Sequence, residues 1–136
     1  MIGRIAGAAW SFISEGNFRL KAQRLRNRFD LLNQRIVVRS HPSMLIIDPA
    51  TMCNLKCPFC STGNGTLALK KEVLDPETFQ KIMSHLRVEY LAKVHLFNFG
   101  EPLLNKHLPD YIRFFSKRGI KTMISTNLSV RDYDDE

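Results

Sequence analysis

Short apolar runs alternate with amphipathic helical patterns through residues 43–136, and this alternation constrains the fold more than any other feature of the sequence. Three runs have the length and composition of β-strands, and they are Met44–Ile47, Val94–Asn98 and Ile120–Ser125. The first run is continuously apolar, which is typical of a strand buried on both faces. Strands separated by helices pair in parallel through right-handed crossovers, so the sequence predicts an α/β fold with a parallel sheet.

Two helices are predicted between these strands. Asp75-Pro76-Glu77 combines an N-cap residue, a proline at the first helical position and an acidic first turn. Gly119 supplies the left-handed residue that ends the second helix. The apolar positions of the first helix are Phe79, Ile82, Met83 and Leu86, and those of the second are Leu108, Tyr111, Ile112 and Phe115.

The residues whose side chains are suited to ligand binding or catalysis follow the predicted strands directly. A cysteine-containing loop follows the first strand, Gly100-Glu101-Pro102 follows the second, and Thr126-Asn127 follows the third. In parallel sheets and barrels, ligands bind at the carboxyl ends of the strands. The sequence therefore predicts that these three loops meet at one edge of the sheet.

The cysteines of the chain, Cys53, Cys57 and Cys60, all lie within eight residues. Three thiolates can hold three corners of a [4Fe-4S] cluster and leave the fourth iron open, whereas an electron-transfer cluster normally has four cysteine ligands. A zinc site would need a fourth ligand from elsewhere, and a disulfide would leave one cysteine over. The histidines that could complete a zinc site are His41, His85, His95 and His107, and none has a diagnostic spacing to the cysteines.

The Cys-x-x-x-Cys-x-x-Cys spacing, with Phe59 just before the last cysteine, resembles the signature of the radical S-adenosylmethionine (SAM) enzymes. The resemblance implies that Cys53, Cys57 and Cys60 are the catalytic cluster ligands and that Phe59 lies near the adenine of SAM, although Phe59 could also be a hydrophobic anchor. It implies two cofactors, a [4Fe-4S] cluster and SAM. In the family, an electron from the cluster splits SAM to methionine and a 5′-deoxyadenosyl radical, which abstracts hydrogen from a substrate.

Two further segments resemble family motifs that contact SAM. Asn98–Leu104 is similar to the Gly-Gly-Glu motif, with Phe99 at the first glycine, and the resemblance implies that Gly100 and Glu101 bind SAM. A carboxylate at this position could accept hydrogen bonds from the amino group of SAM. Ser125-Thr126-Asn127 resembles the Thr-Asn-Gly type of segment, in which hydroxyl and amide groups lie near SAM or substrate, and the resemblance implies that Ser125 and Asn127 contact the cofactor.

The resemblance covers about residues 43–131 and ends before the family's partial barrel of about six βα units is complete. It implies an incomplete radical SAM core at 43–136, a (β/α) partial-barrel fragment, after a basic helical extension at 1–42. The implied partners are a missing carboxyl-terminal portion, a peptide or small-molecule substrate, and a reductant such as flavodoxin or ferredoxin. The motifs are most similar to members that carry a carboxyl-terminal auxiliary-cluster domain.

Most of the net charge of +7 lies at the amino-terminal end, where residues 1–42 carry eight Lys or Arg against two acidic residues. Phe18–Leu32 has the pattern of a basic amphipathic helix. The apolar segment before it is too short to span a bilayer, which needs about 20 residues. Residues 1–32 could make a weak membrane-surface contact, or the helix could pack on the main domain with its basic face solvated.

A competing interpretation of the whole chain is a binding module stapled by zinc or an iron-sulfur cluster, whose basic helix contacts nucleic acid or a membrane. Glu101 favours the enzyme, because a structural metal loop has no use for a carboxylate that follows the next strand. The sequence has no convincing signal peptide and an ordinary globular composition, so it predicts a cytoplasmic enzyme.

Overall fold

The computed structural model describes residues 18–130, and the chain divides into two compact units, Met1–Ser43 and Met44–Glu136. The apolar first part of the predicted membrane contact, residues 1–17, lies outside the described residues. No helix in the described part of the chain is long and apolar enough to cross a membrane.

The described part of the first unit contains one helix, α1, at Phe18–Leu32, which has the predicted bounds. The buried residues of α1 are polar, since Gln23 donates to the His41 carbonyl at 3.0 Å and Asp30 accepts from the Arg39 backbone N–H at 2.9 Å. The Asp30 carboxylate also pairs with Arg35. The side chains of the predicted apolar stripe are exposed, and they are Phe18, Leu25, Phe29 and Leu32.

The second unit is built on a parallel sheet in the order β1-β2-β3, with β1 at Met44–Ile46, β2 at Lys93–His95 and β3 at Lys121–Met123. The predicted α/β class is therefore confirmed. The strands are shorter than the apolar runs that indicated them, because regular pairing ends where the loops at the carboxyl edge begin.

Two helices connect the strands, α2 at Pro76–His85 and α3 at Leu108–Ser116, with short 3₁₀ helices at Val88–Tyr90 and Pro102–Leu104. The predicted cap of α2 is present, since Asp75 accepts a hydrogen bond from the Thr78 backbone N–H at 2.9 Å. The hydrogen bonds from Thr78 lower the pKa of the Asp75 carboxyl below its ordinary value. Gly119 has a φ of +68°, as its predicted role after α3 requires.

The core lies between the helices and one face of the sheet. Phe79 of α2 stacks on Tyr111 of α3 with a centroid distance of 4.2 Å and meets Phe115 edge to face at 5.8 Å. Val94 of β2 and Leu96 just after it have fully buried side chains, and Leu45 and Ile47 pack against the same cluster. The helical periodicity predicted the buried positions of Phe79, Tyr111 and Phe115 correctly.

The prediction that the first strand is buried on both faces is wrong. Leu45 faces the helices, but Met44 and Ile46 are 41% and 51% exposed. The parallel register pairs Ile46 with His95 and His95 with Met123, and Met123 is also exposed. Both helices pack on the opposite face of the sheet.

Candidate functional site

The loop after β2 packs directly on the chain that leads into the cysteines. A Cβ atom at Gly100 would lie 1.9 Å from the Ala50 carbonyl oxygen and 2.8 Å from that of Met52. The Glu101 backbone N–H donates to the same Met52 carbonyl at 2.8 Å. The family resemblance implies that Gly100 binds SAM, and in this structure Gly100 also packs closely on the backbone just before Cys53. Glycine is therefore required at position 100 by the fold itself.

Glu101 lies at the centre of the site and is only 2% exposed. Its Oε1 accepts from the Leu103 backbone N–H at 3.0 Å and from the Thr126 hydroxyl at 2.6 Å. Its Oε2 accepts from the Asn127 backbone N–H at 2.8 Å. The carboxylate thus joins the loop after β2 to the loop after β3. An ionised carboxylate has about four acceptor positions, so these three donors leave capacity for one more.

The loop after β3 also reaches the cysteine loop. The Asn127 side-chain amide donates to the Asn54 side-chain oxygen at 3.0 Å and lies 3.7 Å from the Cys53 sulfur, within the range of an N–H···S hydrogen bond. Ser125 is exposed and lies outside this network. The three loops predicted to meet at the carboxyl edge of the sheet do so in the structure.

The cysteine loop folds tightly on itself. The Cys60 backbone N–H donates to the Cys57 carbonyl at 3.2 Å, and the Asn64 backbone N–H donates to the Cys60 carbonyl at 2.8 Å. A Cβ atom at Gly63 would lie 2.6 Å from the Cys57 backbone nitrogen, so only glycine fits there. Hydrogen bonds from the backbone of Gly63 and Thr62 lower the pKa of the Cys60 thiol. They favour the thiolate, which is the form that binds metals.

All three thiols are free, with Cys53 half-buried and Cys57 and Cys60 exposed. Across residues 18–130, no three His, Cys, Asp or Glu side chains converge closely enough to hold a single metal ion. A [4Fe-4S] cube imposes a looser requirement, because each cysteine binds a different iron. Three accessible thiols on one compact loop, with one thiol favoured as thiolate, fit such a cluster.

Phe59 is fully exposed at the tip of this loop. The alternative that it anchors the loop by hydrophobic packing is therefore wrong for this structure. Its exposed ring remains available for a ligand, as the family resemblance implies.

Two further residues that support the site were not identified from the sequence. The Asn105 side chain is buried, donates to the Pro49 carbonyl at 2.7 Å and the Leu74 carbonyl at 2.8 Å, and accepts from the His107 backbone N–H. Asp48 accepts from the Phe99 backbone N–H at 3.0 Å. Asn105 thus fixes the strand exit that precedes the cysteines. In the sequence, the feature that could have identified Asn105 is its position directly after Gly-Glu-Pro-Leu-Leu.

The sequence matches the family model described as the Radical SAM superfamily over residues 47–136. The chain belongs to the radical SAM superfamily. Membership implies a [4Fe-4S] cluster and SAM as cofactors, in agreement with the donor set of the cysteine loop.

Curated relatives of this radical SAM chain include proteins with different substrates in their names. The chain is 31% identical over 80 residues to Fe-coproporphyrin III synthase of Methanosarcina barkeri, a match that covers 59% of the chain and 20% of that protein. It is 26% identical over 86 residues to PqqA peptide cyclase of Xanthomonas campestris pv. campestris, covering 63% of the chain and 22% of that protein. The chain therefore spans about a fifth of the length of these relatives.

A solved structure supports the fold of the radical SAM core. The chain is similar to BtrN in a crystal structure in complex with AdoMet and 2-DOIA, with a TM-score of 0.57 and 22% identity. The match covers 65% of this chain and 37% of that one. The three-stranded parallel sheet with its helices is consistent with an α/β fragment of a radical SAM (β/α) barrel.

The contact between Gly100 and the backbone before Cys53 is testable by substitution. Gly100→Ala should lower the free energy of unfolding by about 3 kcal/mol or more, because two backbone segments must separate to admit the methyl group. Gly119→Ala is the matched control: its Cβ would meet open space, so it should cost only the strain of a positive φ, about 1 kcal/mol. Chemical denaturation followed by circular dichroism measures both, and equal losses would contradict the packing described.

Proposed function

We propose that this chain forms the SAM-binding part of a radical SAM enzyme, in which Cys53, Cys57 and Cys60 hold a [4Fe-4S] cluster. The observation that carries the proposal is the Glu101 carboxylate, which ties the loops after β2 and β3 together beside the cysteine loop. The chemistry that the bound cluster supplies is electron transfer to SAM, which yields methionine and a 5′-deoxyadenosyl radical able to abstract hydrogen from a substrate.

The residues of the chain then have separate tasks. The loop from Cys53 to Cys60 presents the three thiolates, and the hydrogen bonds to the Cys60 sulfur favour its ligand form. Glu101 accepts a hydrogen bond from the amino group of SAM through its remaining acceptor position. Gly100 contributes by holding Glu101 against the backbone at Met52. The exposed ring of Phe59 contacts the adenine.

The substrate that we propose is a peptide or a small metabolite, and the electron donor is a protein such as flavodoxin or ferredoxin. The names of the two curated relatives, a coproporphyrin synthase and a peptide cyclase, support this range of substrates. The free thiols favour a reducing compartment such as the cytoplasm. Within the chain, residues 1–42 form the basic helical extension and residues 43–136 the partial core. The competing metal-stapled module is less favoured, because the chain belongs to an enzyme superfamily.

Anaerobic reconstitution tests the cluster. The purified protein should take up iron and sulfide in equal amounts, and SAM should change the electron paramagnetic resonance (EPR) spectrum of the reduced cluster, because SAM would bind at the iron that the three cysteines leave open. Cys57→Ala should lose most of the bound iron, since two thiolates cannot hold the cube. Ser61→Ala, a substitution next to Cys60, is the control and should retain the iron. Stoichiometric zinc without iron uptake, or a spectrum indifferent to SAM, would contradict the proposal.

We also propose that α1 contacts the surface of a bilayer that contains anionic lipids. The exposed stripe of Phe18, Leu25, Phe29 and Leu32 spans roughly 60° of the helix and lies opposite the buried Gln23 and Asp30. Lys21 and Arg28 lie on one side of the stripe and Arg26 on the other. An apolar stripe flanked by cations suits the headgroup region, where the rings enter the apolar boundary and the cations meet phosphates. Nucleic acid would leave the apolar stripe in water.

Vesicle sedimentation tests this contact. The protein should bind vesicles of phosphatidylcholine and phosphatidylglycerol more tightly than vesicles of phosphatidylcholine alone, because the basic residues gain electrostatic attraction. Joint replacement of Phe18 and Phe29 by Ser should weaken binding roughly tenfold, since two rings no longer leave water. Leu31→Ser removes an equally exposed side chain outside the stripe and should have little effect. Absence of binding to anionic vesicles, or tighter binding to duplex DNA, would overturn the proposal.

A further inference from the structure

A ring of hydrogen bonds links the loop after β3 to the cysteine loop. The Asn127 Oδ1 atom accepts from the Ser129 backbone N–H at 2.9 Å and from the Ser129 hydroxyl at 2.7 Å. The Ser129 hydroxyl oxygen accepts from Asn54 Nδ2 at 2.9 Å, and Asn54 Oδ1 accepts from Asn127 Nδ2 at 3.0 Å. Three polar side chains therefore position one another across two loops that are more than seventy residues apart in sequence.

The Ser129 backbone N–H determines which way the Asn127 amide points. The Ser129 backbone N–H can only donate, so the Asn127 atom that faces it must be the oxygen. The NH₂ group then faces the cysteine loop, where its nitrogen lies 3.0 Å from Asn54 Oδ1 and 3.7 Å from the Cys53 sulfur. The Glu101 carboxylate fixes the backbone of the same residue by accepting from its N–H. The backbone and the side chain of Asn127 are thus both held by hydrogen bonds within the protein.

The Cys53 sulfur has a second donor close by, the Leu55 backbone N–H at 3.5 Å, which belongs to the cysteine loop itself. The Asn127 donor comes instead from the loop that Glu101 holds. Hydrogen bonds to the sulfur ligands of an iron-sulfur cluster are one of the factors that set its reduction potential. Reduction adds negative charge that spreads onto the sulfurs, so an N–H donor stabilises the reduced state more than the oxidised one.

We propose that Asn127 is a positioning residue that donates an N–H···S hydrogen bond to Cys53 and raises the reduction potential of the cluster held there. The inference rests on the proposed function, since it requires a cluster on Cys53. It adds a separate role for Asn127, which sets how readily the cluster accepts the electron that SAM cleavage consumes. It also makes the loop after β3 a direct link between the Glu101 carboxylate and the cluster.

A redox titration of the anaerobically reconstituted protein tests this role without any measurement of turnover. The midpoint potential is read from the EPR signal of the reduced cluster, in the absence of SAM. Asn127→Ala removes the donor and should shift the midpoint to a more negative potential. Asn127→Asp has nearly the same shape but replaces the donor with a negatively charged acceptor, so its shift should be larger in the same direction. Because only clustered protein contributes to the signal, a variant with reduced iron content still yields a potential.

Ser129→Ala is the matched control. It removes a hydroxyl from the ring but keeps the backbone N–H that orients Asn127, so its midpoint should stay close to that of the unsubstituted protein. Thermal unfolding of each variant measures any loss of loop stability, which a substitution at position 127 or 129 can cause. Such a loss can then be distinguished from a change of the reduction potential. Unchanged midpoints in Asn127→Ala and Asn127→Asp would overturn the inference. Failure of the unsubstituted protein to assemble a cluster would instead overturn the proposed function.

Discussion

The buried carboxylate of Glu101 is the interaction on which the arrangement of the site depends. Burying a carboxylate is costly unless donors replace the lost water, and here two backbone N–H groups and one hydroxyl do so. Two of these donors, at Thr126 and Asn127, come from the loop after β3, so satisfying the charge also fixes the distance between two strand ends. The close contact of Gly100 with the backbone at Ala50 then adds the cysteine loop to the same unit.

The local elements of this fold were predictable because they depend on neighbouring residues. Asp75 caps α2 and Gly119 follows α3 in the predicted conformations, since a cap or a left-handed glycine needs only a few adjacent residues. Burial was harder to predict, because it depends on where the other elements pack. Met44 and Ile46 belong to an apolar run, yet both helices pack on the opposite face of the sheet and leave them exposed.

The candidate site also combines features that the sequence predicts with contacts that only the tertiary structure shows. The rule that ligand sites lie at the carboxyl ends of parallel strands brought the cysteine loop, Glu101 and Asn127 together from sequence alone. The rule could not show that Gly100 packs on Ala50 or that Asn105 holds the carbonyls of Pro49 and Leu74, since these contacts join segments tens of residues apart. The sequence therefore predicted which loops meet, and the tertiary contacts show that several residues of these loops support one another.

The central claim is that the Glu101 carboxylate both joins the loops and retains one acceptor for the amino group of SAM. The most direct measurement is a SAM titration of the reconstituted protein, together with thermal unfolding, for Glu101→Gln and for the exposed control Glu89→Gln. The account predicts that Glu101→Gln weakens SAM binding about tenfold and lowers the unfolding temperature, because a charged acceptor is lost. The control should change neither. An unchanged SAM affinity and an unchanged unfolding temperature in Glu101→Gln would contradict the account.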